Sequence, residues 1–197
     1  MLIFWDQRLV FLATPKAGSS AVEVALDSLA AVSVTRPEPL KHMSARDFAT
    51  HLAPYITSQA GEPFTTVALM REPIDWLRSW YRFVQRDDFE NPDHPLNGLS
   101  FEMFVQDFIS TTPPKHARIL RQHEFLTDAT GTPVVDRIFR YEAMDDFVHF
   151  LEDMLDCAIT LPRVNVPPAV ETSLSRETEE RLREAMSDDF ALYQSLN

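Results

Sequence analysis

Short apolar runs alternate along this chain with stretches in which apolar residues recur every three or four positions. The first pattern predicts buried strands and the second predicts helices with one face inward. Leu9-Val10-Phe11-Leu12-Ala13 and Thr66-Val67-Ala68-Leu69-Met70 are the clearest strands. Residues 2–13 together read as a hairpin turning at Asp6-Gln7, or as one broken strand. Val22, Ala25, Leu26 and Leu29 carry helical spacing from Ser20 to about Ala31, and a short strand follows near Val32–Val34. Arg36-Pro37-Glu38-Pro39 predicts an extended loop. Ser44-x-x-Asp47 has the form of a capping box and opens a helix through about Leu52. The strand Phe64–Met70 runs into a helix over Pro73–Arg86, with Pro73 suited to its first turn.

Residues 87–99 are polar and contain Pro92, Pro95 and Gly98, which predicts a surface loop. Ser100 caps a helix through Ile109, and Thr111–His116 is a proline-bearing break. A turn at 128–132 leads to a strand over Val134–Tyr141, followed by a helix over about Met144–Leu155. Leu161–Pro168 holds three prolines and reads as irregular, and Ser175 caps a last helix to about Leu192. Strands alternating with helices imply an α/β fold, a mainly parallel sheet covered on both faces. Anions bind such sheets at the carboxyl ends of the strands.

At 197 residues the chain reads as one domain, 1–197, with a core of ordinary size. The net charge of -12 argues against binding to nucleic acid or to an anionic membrane. It also means that an anionic ligand must be captured by a local cluster of donors. Cys157 is the sole cysteine, so no internal disulfide forms and a reducing, cytoplasmic setting is expected. Leu2-Ile3-Phe4-Trp5 is broken by Asp6 and Arg8, with no basic region ahead of it, so neither a signal peptide nor a membrane span is expected. No His/Cys/Asp cluster has metal-ligand spacing.

The candidate chemistry sits at two strand tips. Thr14-Pro15-Lys16-Ala17-Gly18-Ser19-Ser20 follows the first strand and opens a helix. The unpaired N–H groups and dipole of a helix start hold anions. An ATP loop would place its lysine after the second glycine; here Lys16 precedes Gly18 by two residues. The second tip is Arg71, followed by Pro73, Ser79 and Tyr81. Together these stretches resemble the sulfotransferases that use 3′-phosphoadenosine 5′-phosphosulfate (PAPS). Pro15, Lys16, Gly18, Ser19 and Ser20 match that family's P-K-x-G-[ST]-[ST] motif, and Arg71, Pro73, Ser79 and Tyr81 match R-x-P-x-x-x-x-x-S-x-[YF].

The resemblance is strongest over residues 8–83. Beyond them, Arg140-Tyr141-Glu142 and Leu161-Pro162-Arg163-Val164-Asn165 are similar to segments of carbohydrate-type members. It implies a three-layer α/β/α, P-loop NTPase-like fold and sulfuryl transfer from PAPS, without metal, to an acceptor hydroxyl such as that of a carbohydrate. The product would be 3′,5′-adenosine bisphosphate. Pro15, Lys16, Ala17, Gly18, Ser19 and Ser20 would then hold the 5′-phosphosulfate. Arg71 and Ser79 would hold the 3′-phosphate, and Arg163 and Asn165 would close over the nucleotide or acceptor. Lys16 would act on the bridging oxygen.

The tract Lys41-His42-Met43-Ser44-Ala45 is similar to a segment in which the histidine is a plausible base, and Glu38 is the substitute if His42 points away. Lys115, His116 and Arg118 form a small basic knot that reads as a solvated turn or an acceptor contact. Trp76 and Trp80 read as core. Two rivals stand beside this reading. A small nucleoside-phosphate kinase would need acidic Mg2+ ligands at a strand end, where Thr14, Arg71 and Tyr141 stand instead. A degenerate nucleotide-binding module would keep both anion loops without a working base. Neither the acceptor nor the oligomeric state is written in the sequence.

Overall fold

The computed structural model describes residues 1–88, 98–164 and 170–196. Among the described residues, five strands form one sheet in the order β3-β1-β2-β4-β5: β1 Leu2–Phe4, β2 Leu9–Leu12, β3 Val32–Ser33, β4 Thr65–Met70 and β5 Arg137–Arg140. The expected hairpin is present, since β1 pairs antiparallel with β2, Ile3 opposite Val10. β3 also pairs antiparallel with β1. Only β2, β4 and β5 are parallel neighbours. The sheet is therefore mixed, not mainly parallel. A tight turn can join β1 to β2 only antiparallel, whereas each parallel step needs a helical crossover.

Side chains alternate across the sheet as the pleat requires. Leu2, Phe4, Leu9, Phe11, Val67 and Leu69 pack with Val22 and Leu26 of α1 (Ser19–Leu26) and with Phe147 and Leu151 of α8 (Met144–Leu155). Ile3, Val10, Leu12, Ala68 and Met70 pack on the opposite face. Their partners there are Ala45 of α3 (Ala45–Asp47), Ile56 of α4 (Ala53–Ala60), Phe125 of α7 (Gln122–Leu126) and Leu192 of α10 (Ser187–Ser195). Helices thus cover both faces. A third cluster joins α5 (Pro73–Asp88), α6 (Phe101–Phe108) and α9 (Arg176–Ala185) through Trp76, Phe104, Phe108 and Leu182. Among the described residues, no helix is long and apolar enough to cross a membrane.

Several boundaries differ from expectation. The expected loop at residues 36–39 contains the start of α2 (Glu38–Lys41), because Pro39 falls in a first turn, where its missing N–H costs nothing. The helix capped by Ser44 does not stop at Leu52. It passes through a π-helical turn, Phe48–Leu52, into α4 and ends at Gly61. The last helix is two, α9 and α10, broken at the buried Met186. α1 ends sooner than expected and runs into a 3-10 turn at Asp27–Leu29. Residues 161–164 are irregular as expected. Most of the expected loop at 87–99, and residues 165–168 of the irregular stretch, lie outside the described residues.

α10 carries a buried acid. Asp189 is fully buried, accepts a hydrogen bond from the His123 N–H at 3.1 Å, and leaves Oδ2 without a partner. Burial pushes its carboxyl above the ordinary value of 3.8. A raised acid favours the folded state while it is protonated, and that contribution is lost as pH rises through the folded-state value. Asp189→Asn keeps an oxygen for His123 and removes the titration. In urea unfolding, the variant is expected to gain stability relative to the parent as pH rises from 3.8 towards neutrality. A difference that does not change with pH would contradict this.

Candidate functional site

The turn after β2 is held from both sides. Gly18 caps α1 with φ +84°, and Lys16 also has positive φ, +61°. Pro15 is half-buried, and its carbonyl accepts from the Trp76 indole of α5 at 3.0 Å. Ala17 and Ser19 are buried, while Ser20 is partly exposed. The Lys16 ammonium lies 3.1 Å from the centroid of the Phe83 ring and 5.1 Å from that of Trp80, both on α5. Trp76 is core as expected. Trp80 is only half-buried and forms part of the lysine's seat.

The tip of β4 is fixed by a residue that the sequence did not single out. Gln122 on α7 is buried. Its Oε1 accepts from the Arg71 N–H at 2.9 Å, and its Nε2 donates to the Arg71 carbonyl at 2.8 Å. The Arg71 guanidinium stacks over Tyr141, 4.7 Å from the ring centroid. The same ring presses on Gly18, where an added Cβ would stand 2.8 Å from Tyr141 Cε2. The two motifs therefore converge on one side chain at the end of the third parallel strand. Three buried polar atoms in or next to these loops lack a hydrogen-bond partner: Arg71 Nε, Thr14 Oγ1 and Trp80 Nε1. Such orphans carry an unmet desolvation cost.

His42 ends α2 and meets the tip of β2. Its Nδ1 lies 2.6 Å from the Ala13 carbonyl, which can only accept, so Nδ1 carries the hydrogen. Nε2 faces Glu38 Oε2 at 3.1 Å. Burial lowers the His42 pKa from its ordinary 6.5, and this outweighs the Ala13 hydrogen bond and the Glu38 charge, which act the other way. The lowered pKa favours the neutral ring, and Nε2 becomes a proton acceptor only once Glu38 turns aside. Ser44 caps the next helix as expected, accepting from the Asp47 N–H at 3.1 Å.

Other expected residues are less engaged. Ser79 is half-buried on α5, and no hydrogen bond of its hydroxyl appears among the described residues. Arg163 is exposed, and Asn165 lies outside the described residues. Tyr81 is buried in the α5–α6 core and donates to the Leu99 carbonyl at 2.7 Å. It lines a cleft of about 360 Å3 with Phe101, Glu102, Val170 and Ser175, away from Lys16 and Arg71. The basic knot is locally engaged: His116 lies 2.8 Å from Asp107, and Arg118 donates to the Pro113 carbonyl at 2.8 Å.

Compared with family models, with curated proteins and with solved structures, the chain matches none. The site must be read from its own geometry. It has an ammonium and a guanidinium on neighbouring strand tips, a left-handed glycine at a helix start, and an imidazole whose second nitrogen faces the exposed Glu38 carboxylate. Tyr141 and Gln122 escaped the sequence reading as site residues. For Tyr141 a signal existed, since it closes the third parallel strand, where ligands of such sheets gather.

Proposed function

We propose that this chain is a PAPS-dependent sulfotransferase that transfers a sulfuryl group to an acceptor hydroxyl. The observation that carries the reading is the shared contact of Gly18 and Arg71 with the Tyr141 ring. A common wall of this kind supports a loop that would hold the 5′-phosphosulfate and an arginine that would hold the 3′-phosphate of one adenosine. The residues present fit the donor. Arg71 Nε and Thr14 Oγ1 are buried without partners, and at Gly18 the tight approach to the ring leaves no room for a side chain.

When bound, the donor supplies a sulfuryl group on a phosphate oxygen. Loop N–H groups with Ser19 and Ser20 would bind the oxygens of its 5′ end, with Pro15 and Ala17 shaping the turn. Arg71, aided by Ser79, would bind the 3′-phosphate through its planar fork. Lys16 would leave Phe83 to meet the charge that develops on the bridging oxygen, an interaction stronger in the transition state than before it. The acceptor oxygen bonds to sulfur as the bond from sulfur to the phosphate oxygen breaks. That oxygen keeps the electron pair, and His42 Nε2 takes the acceptor's proton. Arg163 would contribute from outside the strand tips.

Ligand-dependent melting tests the reading. Without metal, 3′,5′-adenosine bisphosphate at a hundredfold excess over Kd should stabilise the fold by about 2.7 kcal/mol. For a chain of this size that is a rise in Tm of about 5–10 °C. ATP with Mg2+ should give far less. The reverse order would favour a kinase and end the proposal.

A further inference from the structure

The approach to His42 is not neutral. Nδ1 is committed to the Ala13 carbonyl, so an acceptor hydroxyl must come to Nε2, and Nε2 faces the Glu38 carboxylate at 3.1 Å. The Glu38 side chain is 78% exposed on a helix of four residues, so an incoming molecule meets it directly. Two nearby cations are engaged elsewhere, Lys41 with Glu23 at 3.0 Å, on a carboxylate only 7% exposed, and Lys16 on Phe83; Arg36, two residues before Glu38, is exposed. The whole chain carries a net charge of -12, a field that draws cations to its surface and repels anions.

Resting on the sulfuryl-transfer reading, we infer that the acceptor is a hydroxyl compound bearing an ammonium beside the reacting oxygen, and that Glu38 selects for it. Glu38 pairs with the ammonium and turns away from Nε2, which frees the imidazole for the hydroxyl. An acceptor bearing a carboxylate or sulfate at the same place meets Glu38 as a like charge. Glu38 is thus a specificity-determining residue, and His42 keeps the role of base.

Three sugars of one ring size test this: glucosamine with its amine protonated, glucose, and glucuronate. Each is titrated into the protein saturated with 3′,5′-adenosine bisphosphate, and binding is read from the 15N signals of the His42 ring. Dissociation constants should rise in that order, by about tenfold per step for charges meeting near a protein surface. In Glu38→Gln, an exposed change that spares the core, the three should fall within about twofold of one another.

An order unchanged in Glu38→Gln, or no sugar perturbing His42, overturns the inference. So does glucuronate binding best, which would hand recognition to Arg36. Loss of turnover on every acceptor in Glu38→Gln, with sugar binding intact, would make Glu38 the base and also overturn it. The melting shift with bisphosphate on the same samples separates the two levels. Its absence sinks the sulfuryl-transfer reading and this inference with it, whereas its presence with a flat sugar order sinks the inference alone.

Discussion

Lys16→Met is expected to lower kcat by about 10²–10³-fold, the loss typical of removing one aimed donor of transition-state charge. The fold should survive the change. The lysine stem already lies against Phe83 and Trp80, and a methionine keeps that apolar contact and adds a sulfur that aromatic rings accept well. What is lost is the ammonium. In the unliganded protein its seat on a ring that is 43% exposed contributes about 0.5–1 kcal/mol, so Tm should move by only a few degrees.

The decisive split is between binding and turnover. The bisphosphate product would keep the oxygen that Lys16 is proposed to address, but loop N–H groups, Ser19 and Ser20 would also hold its 5′-phosphate, so its Kd should rise by less than about tenfold. Meanwhile kcat falls by two orders of magnitude or more. Lys16→Arg should recover only part of the rate, because a planar fork cannot reproduce a compact charge on one oxygen. Steady-state kinetics with labelled donor, beside calorimetric bisphosphate titration, measure both quantities. Unchanged turnover in Lys16→Met would remove Lys16 from the chemistry.

The strand tips were legible because apolar runs end abruptly in Thr14 and Arg71, and the sheet places both at the same edge. Helix α8 matched its expected span, Met144–Leu155, because its apolar spacing is regular and it stops where Asp156 turns left-handed at φ +51°. Misreadings arose where local pattern and tertiary packing part. Met186 continues the spacing of Leu182, so nothing local announces the break between α9 and α10; the buried Met186 marks it only in the fold. α7 spans five residues, too few to show a period, yet it delivers Gln122 to Arg71.

Burial, which no local pattern of the sequence announces, is the main reason for the lowered pKa of His42. The meeting of Gly18 with Tyr141 joins residues more than a hundred positions apart, a contact that no window of sequence reports.

That contact carries the second large effect. Gly18→Ala is expected to cost about 2–4 kcal/mol, from two sources that can be separated. The first is backbone: φ is +84°, and an L-residue held there costs about 1–2 kcal/mol. The second is steric. The new Cβ would lie 2.8 Å from Tyr141 Cε2, 3.1 Å from Cδ2 and 3.3 Å from Met144 Cε, so the ring must move.

Gly61 supplies the control. Its φ is +77° and an added Cβ meets nothing within 4 Å, so Gly61→Ala should show the backbone cost alone. Removing the ring tests the remainder. Gly18→Ala combined with Tyr141→Ala should cost about 1–2 kcal/mol less than the two changes summed, as expected for groups in direct contact.

The Arg71 guanidinium stacks on that same ring, so a displaced Tyr141 also displaces the expected 3′-phosphate grip. Gly18→Ala should therefore weaken bisphosphate binding at least tenfold, whereas Gly61→Ala leaves it unchanged. Urea unfolding of the four variants and bisphosphate titration of each supply both measurements. If Gly18→Ala behaves like Gly61→Ala and adds independently to Tyr141→Ala, the two anion loops do not share a wall, and the single adenosine they were taken to grip has no place to sit.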